Sequence, residues 1–313
     1  MIINRTADNL LIKIPIYLPI IYGLFLYNFN NYENAIIFLT LLFLAEPHFG
    51  ATWPFFLHKK NLNYIRDKKI TLIVAPIIIA ISSIFLFFYY SNFFYFIFLI
   101  YNMFHVTRQS VGISKLFVKA KSEVDFQDIV IKIFGIIFFI VAILRFYLNN
   151  TLVNENLLIF NISIIVLILF SLSFYIFKFK LSENIYTLIT GILIFYPICF
   201  VDKPVHGIIM GVTMHYVQYL CLTYKVALKR LIEEGNFNKN IKIEKKYISL
   251  VLFYGLIMAI LSLTNSQNVV EANLGFLLCI PLTGQILHFY LDSFLWKFSE
   301  EHNRSVTLKY LKD

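Results

Sequence analysis

Ten apolar runs, each close to the roughly 20 residues that cross a bilayer core, dominate this chain of 313 residues. They fall at about 10–29, 34–57, 70–90, 92–117, 129–148, 157–177, 185–200, 206–228, 247–265 and 271–296. Hydrocarbon offers the backbone no hydrogen-bond partner, so runs of this length fold as helices. The expectation is an all-α integral membrane bundle of about ten transmembrane helices, one transmembrane domain over 1–313. The seventh run is short and ends near Pro197, and only Ser91-Asn92 joins the third to the fourth, which predicts a tight hairpin. Composition agrees, at 59% hydrophobic and 14% charged. Soluble domains average about 45–50% and about 25%, so lipid must solvate much of this surface.

The basic residues give the runs a direction. Cytoplasmic connections are rich in Lys and Arg. Of the 27 basic residues, 23 fall in the N-terminus, the alternate loops 58–69, 115–128, 178–184 and 225–246, and the C-terminal tail. The intervening loops hold only Lys203, and Arg108, Lys132 and Arg145 lie within runs. This predicts both termini in the cytoplasm, and it reads the net charge of +9 as topology rather than as nucleic-acid binding. The first run has no small-residue cleavage site and is expected to be a retained span. Cys199, Cys221 and Cys279, all in apolar runs at unrelated spacings, are expected to be inert buried thiols.

Against this apolar background the ionisable residues stand out, because each needs a partner, a wet cavity or a metal. Of seven histidines, His58, His206 and His302 sit at run ends, where an interfacial role is expected. His48, His105, His215 and His288 lie inside runs two, four, eight and ten, all predicted to run from outside to inside. His48, His105 and His215 each lie ten residues before the cytoplasmic boundary markers His58, Lys115 and Lys225, and His288 lies nine before Lys297. At the helical rise this is about 14–15 Å, so four histidines share one layer near the bilayer midplane. Polar companions accompany them: Glu46 and Pro47 before His48, Arg108 and Gln109 after His105, Gln218 and Tyr219 after His215, and Gln285 and Asp292 around His288. A metal-bound imidazole usually gives its second N–H to a carboxylate, amide or carbonyl. Glu46, Asp292, Gln109 and Gln218 are of those types, while Asp292 and Arg108 would also suit an intramembrane ion pair.

Imidazole ligands suit iron, copper and zinc. His48, His105, His215 and His288 are therefore the candidate metal ligands, with Glu46, Asp292 and Arg108 as candidate catalytic groups. A lipid-buried imidazole site fits non-haem iron and O2 chemistry on a lipid-soluble substrate delivered through the membrane lipids. Zinc hydrolysis with Glu46 as general base, a b-type haem protein, and a proton-coupled transporter lined by Asp292 and Arg108 are the competing expectations. The chain lacks the His-x2–4-His loop clusters of fatty-acid desaturases and hydroxylases.

The order Pro47-His48, His105, His215, then His288 with Asp292 resembles the Brp/Blh family of bacterial membrane β-carotene dioxygenases. The resemblance implies a non-haem iron centre that cleaves a polyene in a bacterial plasma membrane. It covers only the histidine-bearing helices, and the family's His-x3-His pair reads His215-x3-Tyr219 here. The segments His105–Gly112 and His288–Lys297 also look like signatures of uncharacterised bacterial membrane proteins.

Overall fold

A computed structural model describes residues 4–148, 154–233, 240–263 and 275–312. The expected outer loop 266–270, the start of the tenth run, residues 149–153 of loop 149–156 and residues 234–239 of loop 225–246 lie outside the described residues. Among the described residues all regular structure is helical, with no strand.

Four helical stretches are long and apolar enough to cross a membrane: Asn30–Phe56, Ile70–Tyr89, Lys121–Tyr147 and Leu157–Phe179. A fifth crossing forms if Arg5–Lys13 and Tyr17–Asn28, bent by 54° to each other, make one span. Their outer faces are those of a membrane protein. On Leu157–Phe179, Leu158 is 74% and Phe170 68% exposed, an apolar display that water would not tolerate over whole helices.

The remaining runs of the ten-span expectation are not among these crossings. Ser91–Phe117 and Pro204–Glu233 are 27 and 30 residues long but too polar to meet the same test. These are two of the histidine-bearing helices. The run at 185–200 gives a nine-residue helix, Ile185–Leu193, and a tight turn, Tyr196–Cys199. Pro197 has no N–H with which to continue the helix. The last run gives the 17-residue helix Cys279–Leu295.

Backbone contacts group the chain into two compact units, Phe29–Asn102 with Tyr219–Asp313, and Asn4–Asn28 with Met103–Gln218. In the first, the helix Asn240–Ser262 lies against Glu46–Phe56 through two reciprocal glycine contacts. A Cβ on Gly50 would stand 2.6 Å from the Tyr254 ring, and one on Gly255 would stand 2.8 Å from Cγ of Pro47. Small residues let helix backbones approach this closely in lipid. Just before Glu46 the chain makes a wide turn over Leu41–Ala45, in which the Glu46 N–H bonds to Leu41 O. Such a turn accommodates the Pro47 ring, which would clash in a regular helix. At one end of this unit the buried Arg230 donates to Val306 O and Thr307 Oγ1 and lies over the Phe55 ring. Nearby, Glu233 binds Lys309, Lys60 and Tyr310. The hydrogen bond from Lys309, then those from Lys60 and Tyr310, hold its carboxyl down at about 2.

In the second unit the helix break at Pro15 frees backbone carbonyls, which neighbouring helices satisfy. Gln218 Nε2 donates to Ile12 O at 2.6 Å, and Thr190 Oγ1 to Lys13 O at 2.7 Å. Helix breaks persist in membranes only where the freed groups are paired in this way. Gln218→Ala and Thr190→Val should therefore each destabilise by about 1–3 kcal/mol, the cost of an orphaned buried carbonyl. Denaturant unfolding in detergent measures this, and a change within about 0.5 kcal/mol, as for ordinary surface substitutions, would show the break needs no partner. In the same unit, Gln127 Oε1 accepts from Ser114 and Thr187, and Glu123 Oε1 from Tyr175 and Asn184.

Candidate metal centre

Helical spacing of four residues builds the site in the first unit. Residues four apart share a helix face, so Glu46–Phe56 presents His48 and Thr52 together, and Cys279–Leu295 presents His288 and Asp292 together. Tyr219 comes from Pro204–Glu233. Glu46, His48, Thr52, Tyr219, His288 and Asp292 are all buried. Phe49 stands edge-on to both His48 and His288, and Trp296 edge-on to Tyr219, which gives the polar groups apolar walls.

The two imidazoles meet nitrogen to nitrogen, with His48 Nε2 2.9 Å from His288 Nε2. Behind them the Thr52 hydroxyl lies 2.6 Å from His288 Nδ1 and 2.7 Å from the Tyr219 hydroxyl. Tyr219 donates to Asp292 Oδ1 at 2.8 Å. Asp292 Oδ2 stands 3.8 Å from His288 Nε2. Beside this line, Glu46 Oε1 accepts from Gln285 Nε2 at 3.0 Å and, at a longer 3.5 Å, from the Ser262 hydroxyl. Glu46 Oε2 has no hydrogen-bond partner among the described residues.

In the second unit the rings of His105 and His215 are buried, perpendicular, and 5.2 Å apart. Arg108 is exposed and lies over the Phe104 ring, 5.5 Å from its centre.

The structure thus pairs His48 with His288 in the first unit and His105 with His215 in the second. Two companions chosen by sequence proximity serve other groups. Gln218 caps the broken helix rather than His215, and Gln285 serves Glu46 rather than His288. The reason is direction: position in the sequence places a side chain near a residue, but packing decides which neighbour it meets. The run-end histidines make ordinary contacts. His58 accepts from the Lys60 N–H, His206 pairs with the Tyr22 hydroxyl, and His302 pairs with Asn61 and stacks on Tyr64. The cysteines form no disulfide; Cys199 and Cys279 are buried and Cys221 is half-buried. Sequence reasoning missed Thr52, although its place four residues after His48 was an available signal. It also placed Tyr219 beside His215 and at the position of a family imidazole, not beside Asp292. Comparison with protein-family models, curated proteins and solved structures finds no match.

Proposed function

We propose that this chain is a membrane-embedded, histidine-ligated metalloprotein in which non-haem iron oxidises a lipid-soluble, carotenoid-like substrate. One observation carries the reading: two imidazole nitrogens face each other at 2.9 Å in a buried apolar setting, with a carboxyl group behind one of them. Nitrogens bound at about 2.1 Å and at a right angle lie about 3.0 Å apart, while a tetrahedral angle separates them by about 3.4 Å. The two nitrogens thus stand close enough for both imidazoles to ligate one metal ion. Axial haem ligands would stand about 4 Å apart across their iron, which argues against His48 and His288 as such a pair.

In this reading His105 and His215 supply further imidazoles to the same metal, on the strength of the shared depth in the sequence. The ten-span topology with both termini in the cytoplasm belongs to the same proposal. Bound iron would supply O2 activation. The chain's own part is to hold the imidazoles, exclude water with Phe49 and Phe289, and admit an apolar substrate from lipid. Arg108, exposed beside Phe104, takes no part in ligation.

Metal analysis of the purified protein tests this. Near one equivalent of iron, or stoichiometric uptake of Fe2+ by the metal-free protein, is expected; neither would sink it. The second reading is a proton-coupled transporter, favoured by the broken helix Arg5–Lys13/Tyr17–Asn28, since discontinuous helices build transport sites. Saturable uptake into vesicles by metal-free protein would decide for that reading.

A further inference from the structure

Arg108, on the helix Ser91–Phe117, is a charge without an anion. It is exposed, and among the described residues its guanidinium meets neither a carboxylate nor a hydrogen-bond acceptor. Its close contact is the Phe104 ring, whose centre lies 5.5 Å from the guanidinium carbon. An aromatic face attracts a cation, but it gives the five N–H donors no oxygen to bond. A charge inside a membrane needs a partner or a wet cavity.

Snorkelling toward the nearer helix end does not relieve it. That end is Phe117, nine residues on, whereas the guanidinium lies over Phe104, four residues earlier. Helical side chains lean toward the N-terminus in this way. Phe104 stands eleven residues before Lys115, about 16 Å at the helical rise, so the charge is held at the depth of the histidine layer. Nor is the guanidinium covered from the other side. Gly112 follows Arg108 by four residues on the same face, and a side chain there would lean back over Arg108. A Cβ added at Gly112 would meet nothing within 4 Å. No packing contact among the described residues therefore demands a glycine, a residue that weakens helices. Its effect is to leave Arg108 open.

We propose that Arg108 is the anchor for a long-chain carboxylate, held beside the Phe104 ring with its apolar chain in the surrounding lipid. The paired N–H groups of a guanidinium match the two oxygens of a carboxylate. Depth favours this anion over a phospholipid phosphate. A carboxylic acid enters hydrocarbon in its uncharged form, while a phosphodiester keeps its charge and stays in the headgroup layer. On binding, the acid pairs with the guanidinium as its carboxylate and its proton passes to bulk water. The inference deepens the proposed function by giving the lipid-soluble substrate a carboxylate end. It rests on that reading for the membrane setting of Ser91–Phe117 and for the fate of the bound acid.

Titration of the purified chain in phosphatidylcholine nanodiscs with parinaric acid, a fluorescent polyene fatty acid, tests it beside the methyl ester of that acid. The acid should bind saturably, and the ester at least about 10-fold more weakly. Arg108→Gln should weaken the acid by about 10–100-fold, the usual worth of a hydrogen bond to a charged group, and leave the ester unchanged. Arg108→Lys should recover part of the loss, because a point charge replaces the paired donors. Gly112→Leu, which covers the guanidinium, should weaken the acid as well. Lys115→Gln, on the same helix, should change nothing. Equal binding of acid and ester, or an unchanged affinity in folded Arg108→Gln, would overturn the proposal. Displacement of the acid by phosphatidylglycerol or by inorganic phosphate would also overturn it, since the anion would then be a phosphate. If the acid binds through Arg108 but the protein takes up no Fe2+, the anchor stands and the metal reading falls. If Fe2+ binds and Arg108→Gln leaves the acid unaffected, the reverse holds.

Discussion

His288→Ala should lower the Fe2+ affinity of the purified protein by more than about 100-fold, because losing only a ligand's supporting partner already costs about 10–100-fold. The expectation follows from position. His288 contacts His48, Thr52 and, at 3.8 Å, the Asp292 carboxylate, so it is the junction of the site's polar groups. Its removal withdraws one proposed ligand and the imidazole that Thr52 bonds. Folding should suffer less, since Thr52 keeps its bond to Tyr219 and Tyr219 its bond to Asp292. A loss of about 1–3 kcal/mol is expected for the disturbed buried groups. His302→Ala, which removes a ring bonded to Asn61 and stacked on Tyr64, should leave iron binding unchanged. Titration with Fe2+ beside denaturant unfolding separates the two effects. Folded His288→Ala protein that keeps wild-type affinity would place the metal elsewhere.

Gly255→Ala should destabilise the protein by about 1–3 kcal/mol and Gly255→Leu by about 3 kcal/mol or more, as overpacking does in a filled core. The new Cβ would meet Cγ of Pro47 at 2.8 Å, Cδ at 2.9 Å and its backbone nitrogen at 3.2 Å. A proline ring tied to its own backbone gives way less easily than a side chain. The intrusion should therefore move the backbone beside His48 and weaken metal binding as well. Gly50→Ala meets the Tyr254 ring instead, and a ring on a flexible side chain should yield more cheaply. Helix propensity alone predicts the opposite sign, a gain of up to about 1 kcal/mol from Gly to Ala. Unfolding of the three variants in detergent therefore has a clear discriminating outcome: an unchanged or raised stability in Gly255→Ala would refute the close approach.

Much of this was legible in the chain. Runs of apolar residues report the solvent that a helix faces, and that depends on composition alone, so the all-helical membrane character was readable without coordinates. The wish of His48 and His288 for polar company was readable too, because an ionisable group in hydrocarbon must be paired. Helical spacing even joined His288 to Asp292 correctly. The spacing argument failed where a side chain had a choice of neighbours. Gln218 stands near His215 in sequence yet turns to Ile12 O, at the helix break beside Pro15. Gln285 turns to Glu46 for the same kind of reason.

The apolar runs, their lengths, and the burden of buried histidines were thus settled by the sequence itself, since they follow from residue type and the 3.6-residue period. Which nitrogen meets which oxygen was decided only by tertiary packing. Thr52, Tyr219 and Asp292 come from three helices, and helix faces far apart in sequence are brought together by contacts such as Gly255 against Pro47. No local pattern encodes that meeting, because the approach of the helices belongs to the whole unit.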